Sequence, residues 1–219
     1  MPFSHNPKLM FQSDFDGTLT EGDVSFLILE KYAQGDWCAI LREYQQGKIS
    51  VGDFNYRAFA LVKEDRETLV EFIRKNAVPK KGIYELINYC RQENIRFSVV
   101  SNGLDFYIHT MLEELGFKDI EINAARTLFT SNGLDARYYG PDGKMVENGF
   151  KESYTNHFIS QNYQVIYAGN GPSDFPPAKL CEYTFATDML LDRFKQSNLP
   201  CYPFQDLHDV VSRLKTIPR

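Results

Sequence analysis

Residues 8–20 read KLMFQSDFDGTLT. Lys8–Ser13 is a short run centred on Leu9, Met10 and Phe11 that reads as a buried strand, and it breaks at once into Asp14-Phe15-Asp16-Gly17-Thr18. The same punctuation recurs twice. Residues 95–100 run into Ser101-Asn102-Gly103, and residues 165–168 run into Gly169-Asn170-Gly171-Pro172-Ser173-Asp174. Helical patterns lie between and after these strands. One covers residues 83–94, and another covers 104–115 and stops at Gly116, a C-cap residue. A helix near 189–196, a strand near 200–204 and a helix over 207–214 follow. Strands alternating with helices predict an α/β fold, a Rossmann-like parallel sheet with helices on both faces.

Two stretches depart from that rhythm. Residues 20–79 contain no convincing buried strand, whereas 23–32, 37–46, 51–62 and 67–76 all read as helices. That is too much helix for one crossover connection. It is expected to form an inserted helical cap over 20–79, with the α/β core made of 1–19 and 80–219. Residues 127–150 are rich in Gly, Asn, Asp and Pro, and the turns Ser131-Asn132-Gly133 and Pro141-Asp142-Gly143 predict a pair of hairpins or an irregular flap.

Composition narrows the function. The chain has 219 residues, 43% of them hydrophobic, and a formal net charge of -5 without a long charged run. It is expected to be globular, with a small soluble substrate rather than a nucleic acid or a membrane as its partner. Cys38, Cys90, Cys181 and Cys201 form no CxxC pair and read as free thiols of a reducing compartment. No apolar run reaches the length of a signal peptide core or a membrane span, so the expected location is the cytoplasm.

In an open parallel sheet, ligands sit beyond the carboxyl ends of the strands, which is where Asp14 and Asp16 fall. Two carboxylates at this spacing can divide the work: one attacks phosphorus, the other hands a proton to the leaving oxygen and later activates water. An Asx-turn closing a strand is the alternative reading of the pair. Gly17 permits a tight turn, and the Thr18 hydroxyl can hold the loop. Ser101, Asn102 and Gly103 offer a hydroxyl and backbone N–H groups at a helix entry, a natural phosphate cradle, although such a turn also serves as a plain N-cap. Lys151 could neutralise charge between nucleophile and phosphate, although a lone lysine is also read as a solvated surface charge. Asn170 and Asp174, at the last of these strand ends, could meet a divalent metal and its waters, and a loop with an N-cap is the alternative reading.

Together these segments resemble the haloacid dehalogenase phosphatases, and the resemblance spans nearly the whole chain. DFDGT matches the first motif, Ser101 the second, Lys151 the third and GNGPSD the fourth. The resemblance implies Asp14 as nucleophile and Asp16 as general acid and base. Lys151 belongs with them in the catalytic set. Phosphate is then bound by Ser101, Asn102, Gly103 and Thr18. It implies Mg2+ held by Asp14, the Asp16 carbonyl and the fourth motif, from Asn170 or Asp174. DFDGTLTEGD, SNGLDFY and AGNGPSDFPPAKLCEYTFAT are most similar to the phosphoserine-phosphatase-like branch, and within it to the enol-phosphate phosphatases of methionine salvage. Asp23 and Arg57 stand where that branch has an acid and a cap arginine, and so are expected substrate contacts. A surface charge or a salt bridge within the cap is the plainer reading of both. Two departures stand out: Asn170 replaces the usual Asp, and the cysteine-rich segment before the lysine is missing. The expected activity is magnesium-dependent hydrolysis of a small phosphorylated metabolite. A mutase or phosphotransferase, or a non-catalytic phosphometabolite-binding protein, is the alternative.

Overall fold

A computed structural model describes residues 8–217. Among the described residues, seven strands form one sheet: β1 (Lys8–Ser13), β2 (Arg96–Leu104), β3 (Glu121–Thr130), β4 (Gly133–Arg137), β5 (Tyr163–Gly169), β6 (Tyr183–Ala186) and β7 (Tyr202–Pro203). Their order is β4-β3-β2-β1-β5-β6-β7, with every pair parallel except β3–β4. The chain leaves β1 toward β2 on one side and later returns to β5 on the other. The switch point therefore lies at the carboxyl end of β1, where an α/β sheet opens a crevice.

Met10, Phe11, Gln12 and Ser13 are all fully buried. Successive strand residues point to opposite faces, so both faces of β1 are covered. Phe11 stacks on Phe97 of β2 with centroids 5.3 Å apart. On the other face, Gln12 meets the helix α7 (Phe150–Ser160): its Nε2 donates to the Lys151 carbonyl at 3.3 Å, and its Oε1 accepts from Thr155 Oγ1 at 2.8 Å.

Between β1 and β2 come α1 (Val24–Tyr32), α2 (Trp37–Gln45), α3 (Val51–Phe59) and α4 (Arg66–Asn76), then α5 (Ile83–Gln92). Each of the first four begins at a side chain that accepts an N-terminal N–H: Asp23, Asp36, Ser50 and Asp65. The two ends of this helical segment meet. Thr20 bridges Pro79, Glu21 N donates to the Val78 carbonyl at 2.9 Å, and Lys80 N donates to the Leu19 carbonyl at 2.9 Å. The helices pack through aromatic rings, including Phe26 on Trp37 at 5.4 Å and Tyr44 on Phe54 at 5.6 Å.

The segment also leans on the β3–β4 hairpin. Gly133, at φ +112°, lies so close to α3's end that a Cβ would sit 2.2 Å from the Ala60 carbonyl oxygen. The Ser131-Asn132-Gly133 turn is thus the expected hairpin. Around Pro141-Asp142-Gly143 the second hairpin is reduced to a single bridge, Tyr139 with Met145. Two differences from the sequence reading concern the sheet. The first half of β3, from Glu121 to Ala125, pairs parallel with β2, and β6 adds a further parallel strand. After β2 follows α6 (Asp105–Glu114), and after β5 a 3-10 turn (Pro172–Asp174) leads to α8 (Phe175–Ala178), α9 (Asp188–Gln196) and α10 (Leu207–Leu214). Among the described residues, no helix is long and apolar enough to cross a membrane.

Candidate active site

Asp14 follows β1 directly, and its N–H donates to the Ala168 carbonyl of β5 at 2.9 Å. Its carboxylate meets Lys151 Nζ at 2.8 Å, and the same Nζ lies 2.6 Å from Asp174 Oδ1. All three side chains are buried. Lys151 stands in the first turn of α7, which Gln12 and Thr155 tie to β1. Burial alone would lower the Lys151 pKa, but Asp14 and Asp174 outweigh it and raise the value, so the ammonium is fixed in its charged form. One cation shared by two acids leaves Asp14 undercompensated. Burial and the charge of Asp174 push its carboxyl up to about 7 against the pull of Lys151.

Asp16 sits on the same loop with both oxygens engaged. Val24 N donates to Oδ1 at 2.9 Å, and the Tyr107 hydroxyl donates to Oδ2. Burial, with the charge of Asp23, raises its pKa well above the ordinary carboxylate range, and the Tyr107 hydrogen bond opposes this. Asp23 caps α1 by accepting from Phe26 N at 2.9 Å. Burial pushes it up to about 6 although that N–H stabilises its charge.

At the end of β2, Ser101 is buried, and its Oγ accepts from Gly103 N at 3.0 Å, leaving the hydroxyl proton available. The Asn102 carbonyl accepts from Asn55 Nδ2 at 2.8 Å and from the Tyr138 hydroxyl. These contacts tie α3 to the core. Asn102 Oδ1 is buried and makes no hydrogen bond among the described residues.

Asp14, Asp16, Asp23, Ser101, Asn102, Gly103, Lys151 and Asn170 all line one cavity of about 390 Å³. The helical segment lines it mostly with apolar side chains, Phe26, Leu41, Tyr44, Val51 and Phe54, beside Gln45 and Asn55, and α9 adds Met189. A larger groove of about 810 Å³ beside β7 and α10 holds Asp209 and Arg213. The Asp209 carboxylate accepts from Gln205 N at 2.9 Å, and among the described residues no second acid lines that groove, so the smaller cavity is the candidate site.

Three sequence expectations need correction. Thr18 does not line the cavity; it is buried, and its hydroxyl donates to Asn170 Oδ1 at 3.4 Å, so it braces the loop instead of reaching phosphate. Asp174 is fully buried behind the cavity wall. Its Oδ1 takes Lys151 Nζ and the Tyr167 hydroxyl at 2.7 Å; its Oδ2 takes Asn170 N at 3.1 Å and Gly171 N at 2.8 Å. With both oxygens filled, it shapes the loop, and Asn170 is the fourth-motif candidate ligand that lines the cavity. Arg57 points away from the cavity and pairs with Glu43 at 2.6 Å, both partners half exposed. Arg57→Ala is therefore expected to leave KM within about twofold of wild type, since an exposed pair contributes little. A KM rise above about tenfold would return Arg57 to the substrate site.

The fourth-motif loop fits a hard cation in a particular way. Among the described residues, no three His, Cys, Asp or Glu side chains cluster to hold a metal. The available set is one carboxylate from Asp14, the Asp16 carbonyl and the Asn170 amide oxygen, and Mg2+ commonly takes one or two carboxylates with neutral oxygens and water. Three acids line the cavity with Lys151 as the sole basic side chain among the described lining residues, which leaves room for a dication. Gly17, at φ +73°, permits the approach: a Cβ there would lie 2.1 Å from Asn170 Nδ2.

The sequence reading missed Tyr107 and Gln12, whose contacts with Asp16 and with the helix that carries Lys151 cross the fold, and Tyr167, whose contact with Asp174 closes the fourth-motif loop.

Residues 12–179 match the haloacid dehalogenase-like hydrolase family. The 2-hydroxy-3-keto-5-methylthiopentenyl-1-phosphate phosphatase of Brevibacillus brevis is 28% identical over 214 residues, covering 96% of each chain. The enzyme of the same name from Bacillus mycoides is 26% identical over 206 residues, 92% of this chain and 94% of that one. Among solved structures, a phospho-aspartyl intermediate analogue of phosphoserine phosphatase superposes with a TM-score of 0.71 at 19% identity, covering 95% of this chain and 99% of the other.

Proposed function

The chain belongs to the haloacid dehalogenase-like hydrolases, and on that premise we propose that it is a magnesium-dependent phosphatase of small phosphorylated metabolites working through an aspartyl phosphate on Asp14. The observation that carries this reading is the buried Lys151 bridge between Asp14 and Asp174, set beside Asp16 at the mouth of β1.

In the first step an Asp14 oxygen attacks phosphorus, and the bond to the leaving oxygen breaks with its electron pair. Asp16 gives that oxygen its proton. In the second, water attacks phosphorus as Asp16 takes its proton, and the Asp14–phosphorus bond breaks to restore the carboxylate. Ser101 and the nearby backbone N–H groups hold the phosphoryl oxygens, and Lys151 balances their charge. Mg2+, held by Asp14, the Asp16 carbonyl and Asn170, would supply charge neutralisation between phosphate and carboxylates when bound. The helical segment over 20–79 serves as the cap that excludes bulk water and touches the organic group.

The apolar wall supports a substrate whose organic part is uncharged. No arginine lines the cavity among the described residues to pair with a substrate carboxylate. This favours an ester such as the methylthiopentenyl phosphate in the relatives' name over phosphoserine.

A panel of phosphomonoesters assayed for inorganic phosphate, with Mg2+ and after chelation, tests the reading. Full activity without metal removes the magnesium claim. Binding without phosphate release would identify a phosphometabolite-binding protein, and transfer to a sugar phosphate would identify a phosphotransferase.

Asn170→Asp is expected to lower the Mg2+ concentration needed for half-maximal turnover, because a hard cation prefers a charged oxygen. Magnesium titration of both forms checks this. A higher requirement in the variant would mean that the amide N–H group matters more than the ligand oxygen.

A further inference from the structure

Tyr107 is fully buried on α6, remote in sequence from the DFDGT loop. Its hydroxyl donates to Asp16 Oδ2 and stands 2.8 Å from Ser25 Oγ. Ser25 is itself buried, on α1 of the helical segment, and lines the cavity. Asp16 is thus gripped from both sides: its Oδ1 by the Val24 N–H of the same helix at 2.9 Å, its Oδ2 by a phenol from the core. Space for the grip is made at one position. A Cβ on Gly103 would lie 1.9 Å from the Tyr107 oxygen and 2.5 Å from Asp16 Oδ2. The glycine of SNG therefore serves this contact as well as the turn.

We propose that Tyr107, backed by Ser25, is a positioning residue for the Asp16 proton donor, and that it stabilises the charge that appears on Asp16 as the leaving group departs. This rests on the phosphatase reading above. In the first step Asp16 gives its proton to the leaving oxygen as that oxygen takes the electron pair of the broken bond. Asp16 is left as a carboxylate. A hydrogen bond to a charged acceptor is roughly twice as strong as one to a neutral acceptor, so the Tyr107 donation strengthens as the charge develops. When Tyr107 donates to Asp16, its oxygen can accept from Ser25, and this polarises the phenol further. The grip also fixes the plane of the carboxyl, which sets the direction in which the proton leaves.

The consequence depends on the leaving group. A nitrophenolate leaves without needing a proton, whereas an alkoxide needs one. General acid catalysis contributes roughly 10²- to 10⁴-fold where it operates. Tyr107→Phe keeps the ring and its packing and removes the hydroxyl alone.

The experiment compares kcat/KM, which reports the steps through first phosphoryl transfer, for p-nitrophenyl phosphate and 2-phenylethyl phosphate. With Tyr107→Phe we expect a loss of roughly 10- to 100-fold on the phenylethyl ester and less than about threefold on the nitrophenyl ester. Ser25→Ala, which keeps Tyr107 and removes its donor, should shift the two substrates apart in the same direction by about threefold. It also serves should the Phe variant fail to fold. Equal losses on both esters, in whichever variants fold, overturn the inference and leave the phosphatase reading standing. A wild-type protein that hydrolyses neither ester, nor any member of the phosphomonoester panel, overturns that reading and this one with it.

Discussion

Asp14→Asn is expected to abolish turnover, with a loss of about four orders of magnitude or more, roughly 5.5 kcal/mol of barrier, while the fold stays intact. The amide is nearly isosteric, and its oxygen can still accept from Lys151, so packing is preserved. What disappears is the carboxylate proposed as the nucleophile. Stability should move the other way. Burial and Asp174 raise the Asp14 carboxyl from 3.8 to about 7 in the folded protein. A group raised in this way disfavours the folded state once ionised, so its penalty grows as pH rises from near 4 to near 7. Without metal, Asp14→Asn should therefore melt at or above the wild-type temperature at pH 8, and the gap should close at pH 4. Circular dichroism melts with chelator, alongside phosphate-release assays, check both halves. Activity within about tenfold of wild type would remove Asp14 as nucleophile.

What could be read from the sequence follows from how local each signal is. β1 and its DFDGT loop are contiguous, so the run of apolar residues and its sharp end located Asp14 and Asp16 directly. The four helices before Pro79 carry their own caps and needed no tertiary information. The parallel half of β3, Glu121 to Ala125, was missed because all of it but Ala125 is only partly covered and it carries Glu and Asn. Helix α7 was missed because FKESYTNHFIS presents no strong apolar stripe, and its place is set by Gln12 and Thr155 across the fold. Arg57 shows a different limit. Helix α3 turns Val51, Phe54 and Asn55 toward the cavity, a spacing of one helical face, and Arg57 falls off it. Motif alignment supplied the residue but not the face. Asp174 stood beside Asn170 as an alternative fourth-motif ligand, whereas its hydrogen-bond partners, Tyr167 among them, were visible only in three dimensions.

Lys151→Met is the second large effect, and it joins stability to chemistry. The side chain is 3% exposed, and the two carboxylates it bridges, Asp14 and Asp174, are 8% and 0% exposed. Removing one partner of a buried charge cluster costs about 3–5 kcal/mol, because the remaining charges are left uncompensated. Turnover should fall by about 10²- to 10³-fold or more through loss of charge balance at the phosphoryl oxygens. The penalty should itself depend on pH. With the ammonium gone, Asp14 loses the attraction that opposes burial and the Asp174 charge, so its ionised form costs more and the metal-free variant should be closest to wild type at pH 5 and fall behind by pH 8. A second substitution separates the two effects. In Lys151→Met with Asp174→Asn, the new amide oxygen can keep accepting from the Asn170 and Gly171 N–H groups, while its NH2 faces the Tyr167 oxygen in place of Oδ1. This double variant should recover part of the lost stability in urea titrations and none of the lost turnover. Recovery of turnover as well would mean that Lys151 acts by holding the fold around Asp14, and its role at the phosphoryl group would have to be given up.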